Sequence, residues 1–424
     1  MPGHHLLAWC VLRLHEEAPL ADAYLAIARK WRPATLEEMA GQTHVTRTLG
    51  NALKSGRLHH AFLFTGARGV GKTTAARAFA RALNCAEGPN LNPCGVCASC
   101  REVPLGSSPD VIEVDGASNN SVEDVRDLRD GVRYLPSSSR FKIYIIDEVH
   151  MLSKGAFNAL LKTLEEPPPH VKFIFATTEV NKIPETILSR VQRFDFKRIP
   201  HPVVVERLRL ISKAEGVEIS EASLRMVARA GEGSMRDSQS LLDQVISFGG
   251  NAPSDEQVAD ILGLVDRRML YAMLEGLLSG DGPRCLDAIA EVYESGYEIA
   301  QFTSELLELV RDAALVALSP SAVRHMEAPA EERARLGQLA EGVPAEQLAR
   351  TFHVLLEVHD QVARASRPRM VLEMAVARLV SIRPAQPLAG LVDRLADLER
   401  RMRAGGAVPM RRGREPADSP EEER

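Results

Sequence analysis

Gly66-Ala67-Arg68-Gly69-Val70-Gly71-Lys72-Thr73 is the stretch that decides the fold. It fits G-x-x-x-x-G-K-[ST], the phosphate-binding loop of P-loop NTPases. The flanks match what that motif needs. His60-Ala61-Phe62-Leu63-Phe64-Thr65 is a short apolar run that predicts a buried strand. The residues from Thr73 to Leu83 are Ala-rich and unbroken, which predicts a helix. The glycines therefore fall between a strand and a helix.

Glycine permits backbone angles that turn N–H groups inward, as a nest for phosphate oxygens. The helix N-terminus adds partial positive charge. On this reading Gly66, Ala67, Arg68, Gly69, Val70, Gly71, Lys72, Thr73 and Thr74 cradle a nucleotide. Lys72 reaches the β- and γ-phosphates of ATP, and the Thr73 hydroxyl holds Mg²⁺.

Composition bounds the rest. A chain of 424 residues has room for about two or three domains. Hydrophobic residues at 45% and charged residues at 26% suit a soluble globular protein. A net charge of −5 argues against a free-standing cationic nucleic-acid binder, so any nucleic-acid contact needs a local surface. No apolar run approaches bilayer-spanning length, and no membrane partner is expected.

Four of the six cysteines, Cys85, Cys94, Cys97 and Cys100, are spaced C-x8-C-x2-C-x2-C. Four thiolates in one loop suit tetrahedral Zn²⁺. The loop is rich in Pro, Gly and Asn and has little core of its own, so a metal would fold it. An iron–sulfur cluster is the rival, but the ferredoxin run continues x3-C-P and this one does not. Cys10 and Cys285 stand alone and read as small apolar residues.

The first residues, to about 23, read as an extension. Their apolar run lacks a basic lead and a small-residue cleavage site, so a secretion signal is not expected. Ala28-Arg29-Lys30-Trp31-Arg32-Pro33 follows. Two readings stand for it: Arg32 and Pro33 cover the base of a nucleotide, or the segment is an anchor that packs Trp31. Asp110-Val111-Ile112-Glu113-Val114 predicts a second buried strand. Ser121 and Asp124 have capping-box spacing, so a helix starts there, either as a plain cap or with its N-terminus open to a nucleic-acid phosphate.

The run from Phe141 to Glu148 predicts a buried strand ending in two acids. Asp147 would lie near Mg²⁺, and Glu148 would orient and deprotonate the attacking water. A further strand from Val171 ends at Thr177 and Thr178, whose hydroxyls suit a water or the γ-phosphate. Arg190 is placed on a helix, and matters only if a neighbouring subunit offers it a phosphate. Strands alternating with helices after a P-loop predict an α/β fold with a parallel sheet and ligands at the strand C-termini.

From about His201 the chain turns to short helices, and Arg236 falls early in one of them. From about Leu264 it is helical throughout. Pro384-Ala385-Gln386-Pro387 reads as a linker, with Leu391, Leu395, Leu398 and Met402 marking a short amphipathic helix beyond it. The end, from Gly405, reads as disordered.

Taken together these motifs resemble the γ/τ subunits of the bacterial DNA polymerase III clamp loader, a family of AAA+ ATPases. The resemblance runs from about Ala28 to Arg383. It is carried by Arg29-Lys30-Trp31-Arg32-Pro33, the P-loop, the cysteine insertion after it, Ile146-Asp147-Glu148-Val149-His150-Met151-Leu152, and the run from Phe157 to Pro168. It implies a P-loop AAA+ domain with a zinc-binding insertion (24–200, zinc module 85–100), a small helical lid domain (201–263) and an all-α collar domain (264–383). These lie between the extension (1–23) and the tail (384–424). It implies that Thr177 or Thr178 is sensor 1, that Arg190 completes the ATP site of the adjacent subunit, and that Arg236 is sensor 2. It further implies a pentameric ring with δ, δ′ and further γ/τ copies, acting on the sliding clamp and primer–template DNA in the cytoplasm. The polymerase active site would belong to another subunit of that holoenzyme.

Two departures stand out. Val191 occupies the position of the family's cysteine after the arginine, and Asn119-Asn120-Ser121 is neutral where some relatives are basic. Asp147-Glu148-Val149-His150 also reads D-E-x-H, so a helicase is one alternative; a scaffold stabilised by ATP is the other.

Overall fold

The computed structural model describes residues 25–319, 330–381 and 395–400. Five strands form one parallel sheet: β1 (Ala61–Thr65), β2 (Val111–Asp115), β3 (Lys142–Asp147), β4 (Val171–Thr177) and β5 (Gln192–Asp195). Their order is β2-β3-β4-β1-β5, and every neighbouring pair is parallel. The first four are the expected strands. The fifth, Gln-Arg-Phe-Asp, buries only Phe194 and closes the edge beside β1. Among the described residues there is no second sheet to build a second motor domain.

Side chains alternate across each strand, so both faces carry a core. Phe62 and Phe64 face a layer with Leu49, Ala75, Phe79 and Leu83. Leu63, Tyr144, Phe173 and Phe175 face the other, with Phe157, Leu160 and Leu164. The helix Lys72–Asn84 lies close to the sheet because Ala75, Ala76 and Ala80 present almost no side chain, and all three are fully buried.

The register sets the site. Thr65 pairs with Thr177, and Asp115 with Asp147, so β1, β3 and β4 end at the same edge. The loop after β1 and the acids after β3 flank the end of β4, which is where ligands bind in sheets of this kind.

The helices His201–Ala214, Glu221–Ala230, Met235–Gly249 and Asp255–Ile261 share a core of Val204, Leu208, Ile211, Val227, Leu242 and Val245. Ile27, in the short helix Ile27–Lys30, is buried in that core and Trp31 packs on it. Contacts divide the chain between Gly263 and Leu264. The second unit is helical, with Leu270, Leu274, Phe302, Leu306 and Leu355 in its core. Cys285 is fully buried there, and burial pushes its thiol up to about 11, as suits a small apolar residue.

The expected extension (1–23), the linker from Pro384 to Pro387 and the tail from Gly405 lie outside the described residues. Of the expected amphipathic helix, residues 395–400 are helical, with Leu395 and Leu398 exposed. No described helix is long and apolar enough to cross a membrane.

Candidate nucleotide site and metal centre

The loop between β1 and the helix Lys72–Asn84 has the geometry its glycines allow. Gly66, Gly69 and Gly71 have φ of 146°, 72° and 99°, values that other residues rarely adopt. Gly66 is also crowded: a Cβ there would meet the Phe196 carbonyl oxygen at 2.4 Å. The loop is therefore wedged beside the segment that follows β5, where the Phe196 N–H donates to the Thr65 carbonyl at 2.7 Å. Arg68 is exposed at the loop tip, and Val70 is buried beneath it.

Lys72 is buried, and its ammonium donates to the Gly66 and Ala67 carbonyls at 2.9 and 2.8 Å. Burial pulls its pKa below the usual lysine range, against the raising effect of the Glu148 and Asp147 carboxylates. The Thr73 hydroxyl donates to Asp147 Oδ2 at 2.6 Å. Thr74 follows, half-buried, on the same helix. At the far end of that helix, Asn84 exchanges two bonds with the backbone of Phe141, at 2.8 and 3.0 Å. The loop helix and β3 are thus tied at both ends.

Glu148 stands in the left-handed region, with φ 45° and ψ 45°. Such a conformation costs on the order of 1–3 kcal/mol and persists where the surroundings hold it. Gly116, after β2, makes room: a Cβ there would meet the Glu148 carbonyl oxygen at 2.8 Å. The two threonines at the end of β4 separate cleanly. Thr177 is fully buried, its oxygen accepting the Glu179 N–H at 3.0 Å. Thr178 donates both its hydroxyl (3.0 Å) and its N–H (3.2 Å) to Glu148 Oε2.

The segment from Ala28 to Pro33 splits its work. Trp31 Nε1 donates to Glu215 at 2.6 Å and Lys30 pairs with the same carboxylate at 2.8 Å, so Trp31 is an anchor onto the helical core after His201. Arg32 is half-buried; burial first, then the neighbouring Arg77 and Arg236, lower its pKa. Pro33 follows it. Arg236 lies in the first turn of the helix Met235–Gly249, and its N–H meets the Gly69 carbonyl at 3.4 Å. A Cβ on Gly69 would collide with the capping Ser234 hydroxyl at 1.8 Å. Arg236, Arg32 and the loop are therefore brought together.

Arg190 differs from expectation in its local structure. The helix ends at Leu188, and Arg190 lies in the turn beyond it. Its guanidinium donates to Glu165 at 2.7 Å and to the Thr186 carbonyl at 2.7 Å. It is a third exposed. Val191 packs onto the sheet core, consistent with a role in packing.

The helix Val122–Gly131 carries a full capping box, Ser121 with Asp124. Glu123 and Asp124 make its first turn acidic, and the cap is complete without a phosphate.

The four sulfurs of Cys85, Cys94, Cys97 and Cys100 lie within 4.8 Å of one another. Tetrahedral zinc with bonds of about 2.3 Å spaces its sulfurs by roughly 3.8 Å, so the cluster is close to a binding geometry. The Cys94 N–H donates to Cys85 Sγ at 3.2 Å, and the Cys97 N–H to Cys94 Sγ at 3.4 Å. These bonds orient the Cys85 and Cys94 sulfurs within the cluster. No disulfide links the four.

The fold brings His150 to Glu148, and Glu179 to the other nitrogen of the His150 ring, two side chains to which the sequence assigns no part in the site. The only signal was the position of His150, two residues after the glutamate.

The strand order, the phosphate loop and the acids at the end of β3 define a P-loop nucleotide-binding fold. Three family profiles match in succession: DNA polymerase III, delta subunit (residues 41–200), the DNA polymerase III clamp loader subunit ATPase lid domain (203–251), and DNA polymerase III subunits gamma and tau domain III (254–395). The chain is 43% identical over 366 residues to DNA polymerase III subunit tau of Escherichia coli, covering 86% of this chain and 57% of that one. It is 43% identical to the tau subunit of Bacillus subtilis, covering 84% and 63%. It is 37% identical to the gamma subunit of Buchnera aphidicola, covering 84% of this chain and 99% of that one. The chain belongs to the DNA polymerase III gamma/tau family. It spans little more than half the length of the E. coli relative. Among solved structures, the Thermotoga maritima RuvB Holliday junction branch migration motor aligns with a TM-score of 0.42 at 19% identity, over 58% of this chain and 79% of that one.

Proposed function

We propose that this chain is an ATP-hydrolysing motor subunit of a bacterial replicative clamp loader. The observation that carries the reading is the junction of loop and acids: Thr73 bonded to Asp147, with the Lys72 ammonium in the field of both Asp147 and Glu148. Lys72 and the loop N–H groups bind the phosphates. Thr73 and Asp147 put two oxygen donors at one point, the donor set a hard cation takes, and they would hold Mg²⁺, which neutralises phosphate charge when bound. Glu148 accepts the proton of the attacking water, Thr178 orients that carboxylate, and Arg236 and Arg32 close over the nucleotide. Cys85, Cys94, Cys97 and Cys100 would hold Zn²⁺ in a structural role.

On this reading the chain assembles with δ, δ′ and further copies of its own kind. It works in the cytoplasm, opening the sliding clamp on ATP binding and leaving it closed on primer–template DNA after hydrolysis. Arg190 serves the site of the adjacent subunit. The test is Glu148→Gln within the assembled ring. Turnover should fall at least about a hundredfold, while nucleotide binding persists because the loop is intact. Unchanged turnover would mean that ATP only holds the shape of a scaffold.

A further inference from the structure

We propose that His150 is a positioning residue for the Glu148 carboxylate, a role that rests on reading the chain as an ATPase with Glu148 as its base. The His150 ring stands between two acids. Nδ1 lies 3.2 Å from Glu148 Oε2 and 3.0 Å from the Thr177 hydroxyl oxygen. Nε2 lies 3.3 Å from Glu179 Oε1. The side chain is only 6% exposed. It sits in the single turn Val149–Met151, immediately after Glu148, so ring and carboxylate share one short loop.

The contacts on Glu148 all fall on one oxygen. Oε2 accepts the N–H and the hydroxyl of Thr178 and faces His150 Nδ1. Among the described residues, Oε1 meets no such partner. Carboxylate torsions are otherwise broad and nearly two-fold, so the two oxygens would exchange freely. Three groups on Oε2 remove that freedom and leave Oε1 to take the proton. A general base must be placed before its basicity matters.

The support behind the ring is equally complete. Thr177 is fully buried and accepts the Glu179 N–H, which fixes the oxygen that Nδ1 meets. Glu179 is steadied by Lys182 at 2.8 Å. A histidine that only filled space would need neither acid. Here each ring nitrogen is matched to a carboxylate oxygen, one of them that of the base.

The experiment compares His150→Ala, His150→Asn and His150→Gln in the assembled ring, measuring kcat, KM, nucleotide affinity and melting temperature. The Asn amide reaches the place of Nδ1, and the Gln amide that of Nε2. His150→Ala should lower kcat roughly ten- to a hundredfold, the scale of a misplaced catalytic group, with KM and nucleotide affinity unchanged. Asn should restore most of kcat and Gln should not. An unchanged kcat in His150→Ala, or equal rescue by Gln and Asn, overturns the proposal. Should His150→Ala fail to fold, the Asn–Gln difference decides alone. Glu148→Gln is measured beside them. If it keeps full turnover, the reading of Glu148 as base has failed; if only the histidine variants keep it, the role of His150 alone has failed.

Discussion

Asp110 is 1% exposed, and its carboxylate accepts the N–H groups of Ser137, Ser138 and Ser139 at 2.6, 2.9 and 2.8 Å. Burial alone would raise its pKa; the three N–H groups outweigh that and hold it below the usual carboxylate range. The loop so pinned leads into β3, the strand that carries Asp147 and Glu148. A depressed folded pKa gives stability that is present above the unfolded value, about 3.9, and is lost as pH falls through the folded value. Asp110→Asn should therefore cost about 2 kcal/mol at pH 7, the range for hydrogen bonds to a charged group. The gap from the unsubstituted chain should narrow below about pH 4. Calorimetry at neutral pH and at pH 3 checks this, and a gap independent of pH would refute it. The same scale shows where sequence stops. Asp147, Glu148 and Lys72 were legible because their motifs fix both residue type and spacing. Thr177 and Thr178 were not separable, because successive residues at a strand end point opposite ways and only the packed sheet says which side holds Glu148.

Among the elements, β1, β3 and β4 were legible because each is an apolar run buried on both faces; β2 was legible from its β-branched residues, although only Val111 in it is buried. The edge strand β5 escaped notice because it is four residues long, largely polar, and joined to the sheet on one side. The Arg190 segment was misjudged for a related reason: its helix is a single turn, Glu185–Leu188, too short for a period to show. The cysteine module lies between these extremes. Its spacing was plain, but spacing alone does not say whether a metal or packing holds the loop. Cys85 closes the helix Lys72–Asn84 and Cys97 caps the helix Ala98–Leu105, so a metal there would join two helix ends. Removing it with a chelator should loosen this module first. Amide exchange should rise across residues 85–105 and remain slow in β1 and β3, each paired on both sides within the sheet and buried on both faces. Exchange that stays slow throughout after metal analysis confirms its loss would show that packing alone holds the module.

At the scale of the whole molecule, one end of the nucleotide fold serves its own site and another surface carries Arg190. Lys72, Thr73, Asp147 and Glu148 converge within the chain, whereas the Arg190 guanidinium is engaged by Glu165 and the Thr186 carbonyl and has no contact with that cluster among the described residues. An arginine that serves catalysis from there acts on a neighbour's nucleotide, which is how a stabilising arginine is supplied in trans. Its ion pair with Glu165 is half-exposed, so it contributes little to folding and can be exchanged for a phosphate. Arg190→Ala should therefore leave the melting temperature and ATP affinity of the isolated chain unchanged. In the assembled ring it should cut turnover roughly a thousandfold, within the range for supplied arginines. Mixing Arg190→Ala chains with Lys72→Ala chains sharpens the test, since an interface between the two can pair an intact loop with an intact arginine and recover part of the activity. A ring of Arg190→Ala chains with full turnover would remove the arginine from the reaction, and equal losses in the isolated chain would place its effect within its own fold.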